Sequence, residues 1–192
     1  ASPLFLSQPK GLLQRYKCMA LQITHLTPDL LSISNCFSVN WRAQTFTAPV
    51  TFDITSIKWT MGVGAGTPPD VTATINTLDG SNKPTTTILV SKTQAFSAGT
   101  PEFVFATTPT LTSGVGYAMV LSCPGGDGSN YVNLRGSDDS SYSGGGVTSS
   151  GDSGASWGVV ETTLDYLFEV YGTAASVSDS RDARKLTTLG IG

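Results

Sequence analysis

The pattern of apolar and polar positions between residues 41 and 172 has the two-residue period of β-strands. The clearest case lies near the end of this region, where alternating apolar side chains are separated by residues that include Asp165 and Glu169. Earlier segments show the same short alternation or a short apolar run, with Gly, Pro, Asn or Asp between them. The predicted strands are 43–47, 50–61, 71–78, 85–91, 102–107, 115–122, 130–135 and 163–171.

Short strands joined by frequent turns predict an all-β fold, an antiparallel β-sandwich of jelly-roll type that spans residues 41–172. Residues 79–82, Asp-Gly-Ser-Asn, are a strong turn signal between two of the strands. In the long second strand the apolar face changes near Thr55 and Ser56, which predicts a β-bulge. Residues 62–70 are rich in Gly and Pro and predict a turn.

The two ends of the chain lie outside the alternating region, and they are predicted to be extensions of the sandwich at residues 1–40 and 173–192. Apolar residues near helical spacing favour a short amphipathic helix over 11–23. Residues 26–37 are too apolar for a disordered tail, so we expect them to bury against the chain's own sandwich or against another subunit. The C-terminal extension has the composition of an extended arm, whose order requires a surface that holds it.

Charge is scarce and unevenly distributed along the chain. Charged residues make up 13% of the sequence, about half the share that is typical of soluble domains. Residues 41–172 hold eleven acidic and five basic side chains, whereas both extensions have a basic excess. An acidic body with basic ends is poorly suited to nucleic acid, and it suits ends that lie across neighbouring copies. No apolar run approaches the roughly 20 residues that span a bilayer, so no membrane partner is expected.

Candidate catalytic chemistry is sparse. His25 is the one histidine, it lies far in sequence from the Ser- and Asp-rich turns, and an isolated histidine is more often structural than catalytic. Residues 154–158 match the G-x-S-x-G pattern, but they lie in a Gly- and Ser-rich stretch and not between a predicted strand and a helix, as a nucleophile elbow does. Its glutamates lie in or beside predicted strands, where solvated strand faces account for them better than a glycosidase pair does. We therefore expect a protein that is not an enzyme and that uses no cofactor.

The cysteines and aspartates give no clear metal site. The cysteines Cys18, Cys36 and Cys123 cannot all pair within one chain, and three buried free thiols are favoured over a Cys18–Cys36 disulfide. Four aspartates in Gly-rich turns could offer oxygen ligands to calcium, but their spacing matches no EF-hand, and Asx-turns explain each of them equally well. These aspartates are Asp127, Asp138, Asp139 and Asp152.

Aromatic residues recur in the Gly-, Ser- and Asp-rich stretch 124–157, at Tyr131, Tyr142 and Trp157. A flexible linker would lack such anchors, so the stretch is interpreted as turns and exposed edges of the sandwich. The three rings could form a platform on which a sugar stacks. The favoured alternative is that Trp157 caps the sandwich core and that Tyr131 packs on it.

Residues 41–172 resemble a family of jelly-roll β-sandwich domains found in virion surface and appendage proteins of tailed phages and in sequences of uncultivated microbes. The motifs that carry the resemblance occur in order, and they are WRAQTFTAPVTFDITSIKW, VTATINTLDGSNKPTT, LTSGVGYAMVLSCPGGDGSNYVNLRG, SYSGGGVTSSGDSGASW and DYLFEVYG. The chain departs from the family pattern at Asn133 and Leu134, where an aromatic residue is usual, and this weakens a sugar platform there. The resemblance implies a jelly roll without catalytic residues.

These features together predict a non-enzymatic structural protein of a phage particle, such as a capsid, decoration or tail-surface subunit. We expect it to form homo-oligomers in the virion and to contact copies of itself and other virion proteins through residues 1–40 and 173–192. The alternative is an extracellular carbohydrate-binding or adhesion module that binds a host glycan through Tyr131, Tyr142 or Trp157.

Overall fold

The protein folds as an antiparallel β-sandwich. The structure, a computed structural model, describes residues 19–26, 31–138 and 142–175, and every regular element within them is a strand. The strands are β1 (Ala20–His25), β2 (Leu31–Cys36), β3 (Trp41–Thr47), β4 (Phe52–Trp59), β5 (Met61–Ala65), β6 (Val71–Leu78), β7 (Pro84–Gln94), β8 (Glu102–Val104), β9 (Thr110–Leu111), β10 (Gly116–Ser122), β11 (Tyr131–Ser137), β12 (Val147–Ser150), β13 (Asp165–Tyr166) and β14 (Phe168–Ala174). The predicted all-β antiparallel fold is confirmed, and the jelly-roll order of its strands stays a prediction.

Three sheets build the sandwich. The front sheet has the strand order β12-β3-β10-β6-β7, and the back sheet has the order β1-β14-β4-β8 with β9 beside β4. A third sheet has the order β13-β11-β2 with β5 beside β11. The back and third sheets are joined because β4 leads into β5 at Thr60 and β13 leads into β14 at Leu167, where the Thr60 amide donates to the Leu167 carbonyl at 2.9 Å.

The main core lies between these sheets and is filled by alternate residues of their strands. Phe46 and Met119 enter it from the front sheet, and Ile57, Trp59 and Phe168 enter it from the back sheet. Each of these side chains is almost fully buried, and burial of one large apolar side chain stabilises the fold by about 1.5–3 kcal/mol. The core is therefore filled by every second residue along each strand, as the two-residue period of the sequence predicts.

The N-terminal extension is sheet rather than helix where the structure describes it. β1 pairs with β14, and β2 pairs with β11. The predicted helix over 11–23 is therefore wrong for residues 20–23, while residues 11–18 lie outside the described residues. The cause is that Ile23 and Thr24 are β-branched and that pairing with β14 satisfies their backbone groups, which outweighs the weak helical spacing. Cys36 lies in the main core, so this part of the extension buries against its own sandwich.

The predicted bulge in β4 is confirmed. The pairing between β4 and β14 joins Ser56 to Tyr171 and Ile54 to Gly172, which leaves Thr55 as the extra residue. β14 ends at Ala174, so it extends beyond the predicted end of the sandwich at residue 172.

The sequence predicts a turn over residues 62–70, but the first part of this Gly-rich segment is a strand. The prediction is therefore wrong for residues 62–65. These residues belong to β5, which pairs with β11. The glycines serve close packing rather than a turn, since a Cβ atom at Gly64 would lie 2.1 Å from the Tyr131 ring. The short strands β9 and β12 are not predicted by the alternation pattern.

Candidate binding groove and assembly surface

The three predicted platform residues lie in different surroundings. Tyr131 packs against Phe37 with 5.7 Å between ring centroids, and Tyr142 meets Phe168 edge to face at 5.2 Å. Burial raises the pKa of Tyr142 to about 12. No ring contact joins any two of Tyr131, Tyr142 and Trp157 within the described part of the chain. Tyr131 packs on Phe37 and not on Trp157, because β11 lies in the third sheet.

Trp157 caps the outer side of the front sheet rather than the main core. Its half-buried ring packs on a second apolar cluster formed by Ala43, Ala118 and Val120. These positions alternate with core residues along β3 and β10, so they face outward. Their small side chains leave room for an indole ring. Gly154 keeps the loop close to the sheet, since a Cβ atom there would lie 2.8 Å from the Trp41 ring.

The loop that carries Trp157 is held by Asp152. The Asp152 carboxylate accepts hydrogen bonds from the Ser156 amide at 2.9 Å and from the Ser150 hydroxyl at 2.7 Å. Hydrogen bonds from the Ser156 and Ser150 side chains lower the pKa of Asp152 to about 2. The Asp127 carboxylate likewise accepts the Ser129 and Asn130 amides. Both aspartates therefore form Asx-type turns.

The candidate calcium ligands do not form a cluster of side chains in the described part of the chain. No group of three or more His, Cys, Asp or Glu side chains among the described residues could hold an ion. Asp138 is exposed, and Asp139, the remaining candidate calcium ligand, lies outside the described residues.

A groove of about 570 Å³ lies on the outer side of the front sheet, next to the Trp157 loop. Its floor is formed by the ends of β3, β6 and β10, including Thr47, Leu78 and Gly116. Its walls are the β6–β7 turn over 81–83, the segment 143–145 of the Gly- and Ser-rich stretch, and the segment 159–162 that follows this stretch. Ligand pockets commonly have volumes of about 300–1,000 Å³, so the groove has the size of a small-ligand site.

Lys83 joins the two walls of the groove. Its Nζ donates a hydrogen bond to the Trp157 carbonyl at 3.0 Å, across 74 residues of sequence. It is the one charged side chain among the described residues that line the groove. The carboxylate of Asp79, in the same turn, accepts the backbone amides of Ser81 and Lys83. The sequence predicts the turn but gives no signal that Lys83 approaches Trp157.

His25 is buried in the interior of the sandwich. It is 5% exposed, its Nε2 lies 3.1 Å from the Ser137 hydroxyl, and Ser137 is fully buried. The imidazole lies beside the rings of both Tyr142 and Phe168, with centroid distances of 5.9 Å and 6.2 Å. A serine nucleophile must reach its substrate, and burial keeps this hydroxyl from solvent. The pair therefore packs the interior.

Cys36 and Cys123 are free thiols, and both are buried. Burial raises the pKa of Cys36 to about 12 and also raises the pKa of Cys123. These two cysteines confirm the prediction of buried free thiols, while Cys18 lies outside the described residues.

The outer side of the back sheet carries three carboxylates, and we call it the acidic face. They are Asp53, Glu102 and Glu169, at positions that alternate with core residues along β4, β8 and β14. Lys58 lies among them, 3.1 Å from Glu169 and 3.0 Å from the Tyr171 hydroxyl. The hydrogen bonds to Tyr171 and Glu169 raise the pKa of Lys58.

The N-terminal strand β1 forms one edge of the back sheet, beside the acidic face. In the described residues it pairs with β14 alone. Met19, Leu21 and Leu26 are 46–53% exposed along this short segment. Exposed edge strands with apolar side chains commonly pair with other chains. We call residues 19–26 the apolar edge.

The described residues include no helix long and apolar enough to cross a membrane. In comparisons with known proteins, the chain matches no protein-family model and no curated protein. The resemblance to the phage jelly-roll family therefore stays a prediction that rests on the sequence motifs.

Proposed function

We propose that the protein is a non-enzymatic structural subunit of a phage particle, which assembles with copies of itself. The observation that carries this proposal is the apolar edge beside the acidic face. This surface can bind a partner through two kinds of interaction, since exposed apolar side chains favour burial and carboxylates attract basic groups. The sequence motifs that resemble virion proteins support the same conclusion.

The apolar edge supplies affinity for a neighbouring subunit. Met19, Leu21 and Leu26 are each about half exposed, and burial of those exposed halves in a contact would contribute about 2–4 kcal/mol. The side of β1 that faces no described strand can also add backbone hydrogen bonds to an approaching strand. A contact of this kind enlarges a sheet without a change in the fold.

The terminal segments have the charge that the acidic face attracts. Residues 1–18 carry three basic and no acidic side chains, and residues 176–192 carry three basic and two acidic ones. Both segments adjoin the back sheet in sequence, because β1 begins at Ala20 and β14 ends at Ala174. We infer that the terminal segments of one copy lie on the acidic face of the next.

Two variants with similar surface changes test the role of the apolar edge. Leu21→Asp places a carboxylate on the apolar edge, and Ile88→Asp places one on β7, an edge strand of the front sheet where Ile88 is equally exposed. Sedimentation velocity of the full chain should show large assemblies for the wild type and for Ile88→Asp. Leu21→Asp should sediment as a smaller species with an unchanged circular dichroism spectrum. Wild-type assembly by Leu21→Asp would overturn the role of the edge.

Removal of residues 176–192 tests the role of the C-terminal segment. The cut leaves β14 complete, so the sandwich should keep its thermal midpoint while assembly weakens. Normal assembly of the truncated chain would show that this segment does not bind the acidic face.

A further inference from the structure

We propose that the groove on the front sheet binds a carboxylated sugar within an oligosaccharide. The site is distinct from the apolar edge and the acidic face, so it does not depend on the proposed assembly. It is also distinct from a platform of Tyr131, Tyr142 and Trp157.

The groove offers polar groups that have no hydrogen-bond partner among the described residues. The side chains of Asn82, Ser143 and Thr162 line it and make no hydrogen bond to the described part of the chain. Together they provide hydroxyl and amide groups that can both donate and accept. A ligand with many hydroxyl groups matches this lining.

The charge of the groove differs in sign from that of the protein. The chain has a net charge of −3, yet the charged group among the described lining residues is the Lys83 ammonium. The hydrogen bond to the Trp157 carbonyl uses one of the three N–H donors of the Lys83 ammonium, so two donors are left for a ligand. Glu161 lies in the wall segment but does not line the groove. An anionic group on a ligand is therefore favoured beside Lys83.

The apolar part of the lining narrows the ligand class. Neutral sugars are commonly held against aromatic faces, but the one aromatic residue among the described groove residues, Phe46, is 1% exposed. Val159, which is 72% exposed, and Leu78 offer an aliphatic wall for the C–H face of a sugar ring. Because ring stacking is missing, a charge-assisted hydrogen bond to Lys83 must supply much of the affinity. A carboxylated sugar provides it.

Calorimetric titration of the full chain with matched acidic and neutral sugars tests the proposal. Trigalacturonate and 3′-sialyllactose are the acidic probes, and maltotriose and lactose are their neutral counterparts. We expect at least one acidic probe to bind about tenfold or more tightly than its neutral counterpart, as for one charge-assisted contact. The two acidic probes distinguish a uronic acid from a sialic acid.

Three variants locate the site. Ser143→Glu brings a carboxylate into the groove, and Ser91→Glu brings one to an exposed position on β7 outside it. Ser143→Glu should weaken acidic-sugar binding by about tenfold or more, while Ser91→Glu should leave it unchanged. Lys83→Gln should act like Ser143→Glu.

Three results would overturn the proposal. The first is a failure of both acidic probes to bind at millimolar concentration, and the second is equal binding of acidic and neutral sugars. The third is an equal loss of binding in Ser143→Glu and Ser91→Glu.

Discussion

Replacement of Gln44 by leucine should strongly destabilise the sandwich, because Gln44 joins two sheets through buried hydrogen bonds. Gln44 lies on β3 of the front sheet and is fully buried. Its Nε2 donates to Asp165 Oδ1 at 2.9 Å, and its Oε1 accepts the Tyr166 amide at 2.8 Å. Both partners belong to β13 of the third sheet. The amide of Gln44 is thus a buried polar bridge between the front sheet and the third sheet.

The expected loss of folding free energy follows from the hydrogen bonds that a leucine side chain at position 44 cannot make. A hydrogen bond to a charged group contributes about 1.5–3 kcal/mol, and a buried neutral donor without a partner costs about 1–3 kcal/mol. The Gln44→Leu change removes the bond to Asp165 and the bond that Nε2 donates to the Thr45 carbonyl, and it leaves the Tyr166 amide without this partner. We expect a loss of about 3–5 kcal/mol, a large part of the roughly 5–15 kcal/mol by which domains are stable.

Urea denaturation followed by circular dichroism measures this loss. With a slope of about 2 kcal/mol/M, the midpoint of Gln44→Leu should fall by about 2 M. Gln94→Leu is the matched control, since Gln94 is half-buried at the end of β7 and its change should cost under about 0.5 kcal/mol. A Gln44→Leu midpoint as close to the wild type as that of Gln94→Leu would refute the reasoning.

Two further predictions concern the Trp157 loop and the thiols. The folded-state pKa of Asp152, about 2, lies below its ordinary value, so its support of the loop is present above about pH 4 and is lost as the pH falls towards 2. The indole NMR signal of Trp157 should shift over that pH range. The signal of Asp152→Asn at pH 7 should resemble that of the wild type at pH 2. A wild-type signal that stays constant down to pH 2 would contradict this prediction. In a Cys18→Ala background, buried Cys36 and Cys123 should not react with a thiol reagent at pH 8 until urea unfolds the chain, and rapid reaction of the native protein would show that they are accessible.

The alternation pattern predicts the strands whose two faces differ clearly. β6 has the predicted bounds, Val71–Leu78, and the turn after it forms around Asp79, whose carboxylate accepts the amides of Ser81 and Lys83. The bulge at Thr55 is also predictable, because an extra residue reverses the faces of the strand. These features depend on residues that are close together in the sequence, so a short segment is enough to predict them.

The features that the sequence does not predict depend on contacts between distant segments. The apolar edge takes its strand structure from pairing with β14, and a segment of this length carries too few residues to distinguish helical from strand spacing. The groove depends on the contact of Lys83 with Trp157, and the buried His25–Ser137 pair spans 112 residues. The three aromatic residues separate because their loops and strands belong to different sheets. The spacing of residues along the chain does not predict these contacts.

A cryo-electron microscopy reconstruction of the assembled full chain tests the central claim most directly, since it locates the apolar edge and the terminal segments together. The account predicts a symmetric assembly in which residues 19–26 contact a neighbouring copy and a basic terminal segment lies on its acidic face. A protein that stays monomeric at high concentration, or an assembly in which no neighbouring chain covers Leu21 or the acidic face, would contradict the account.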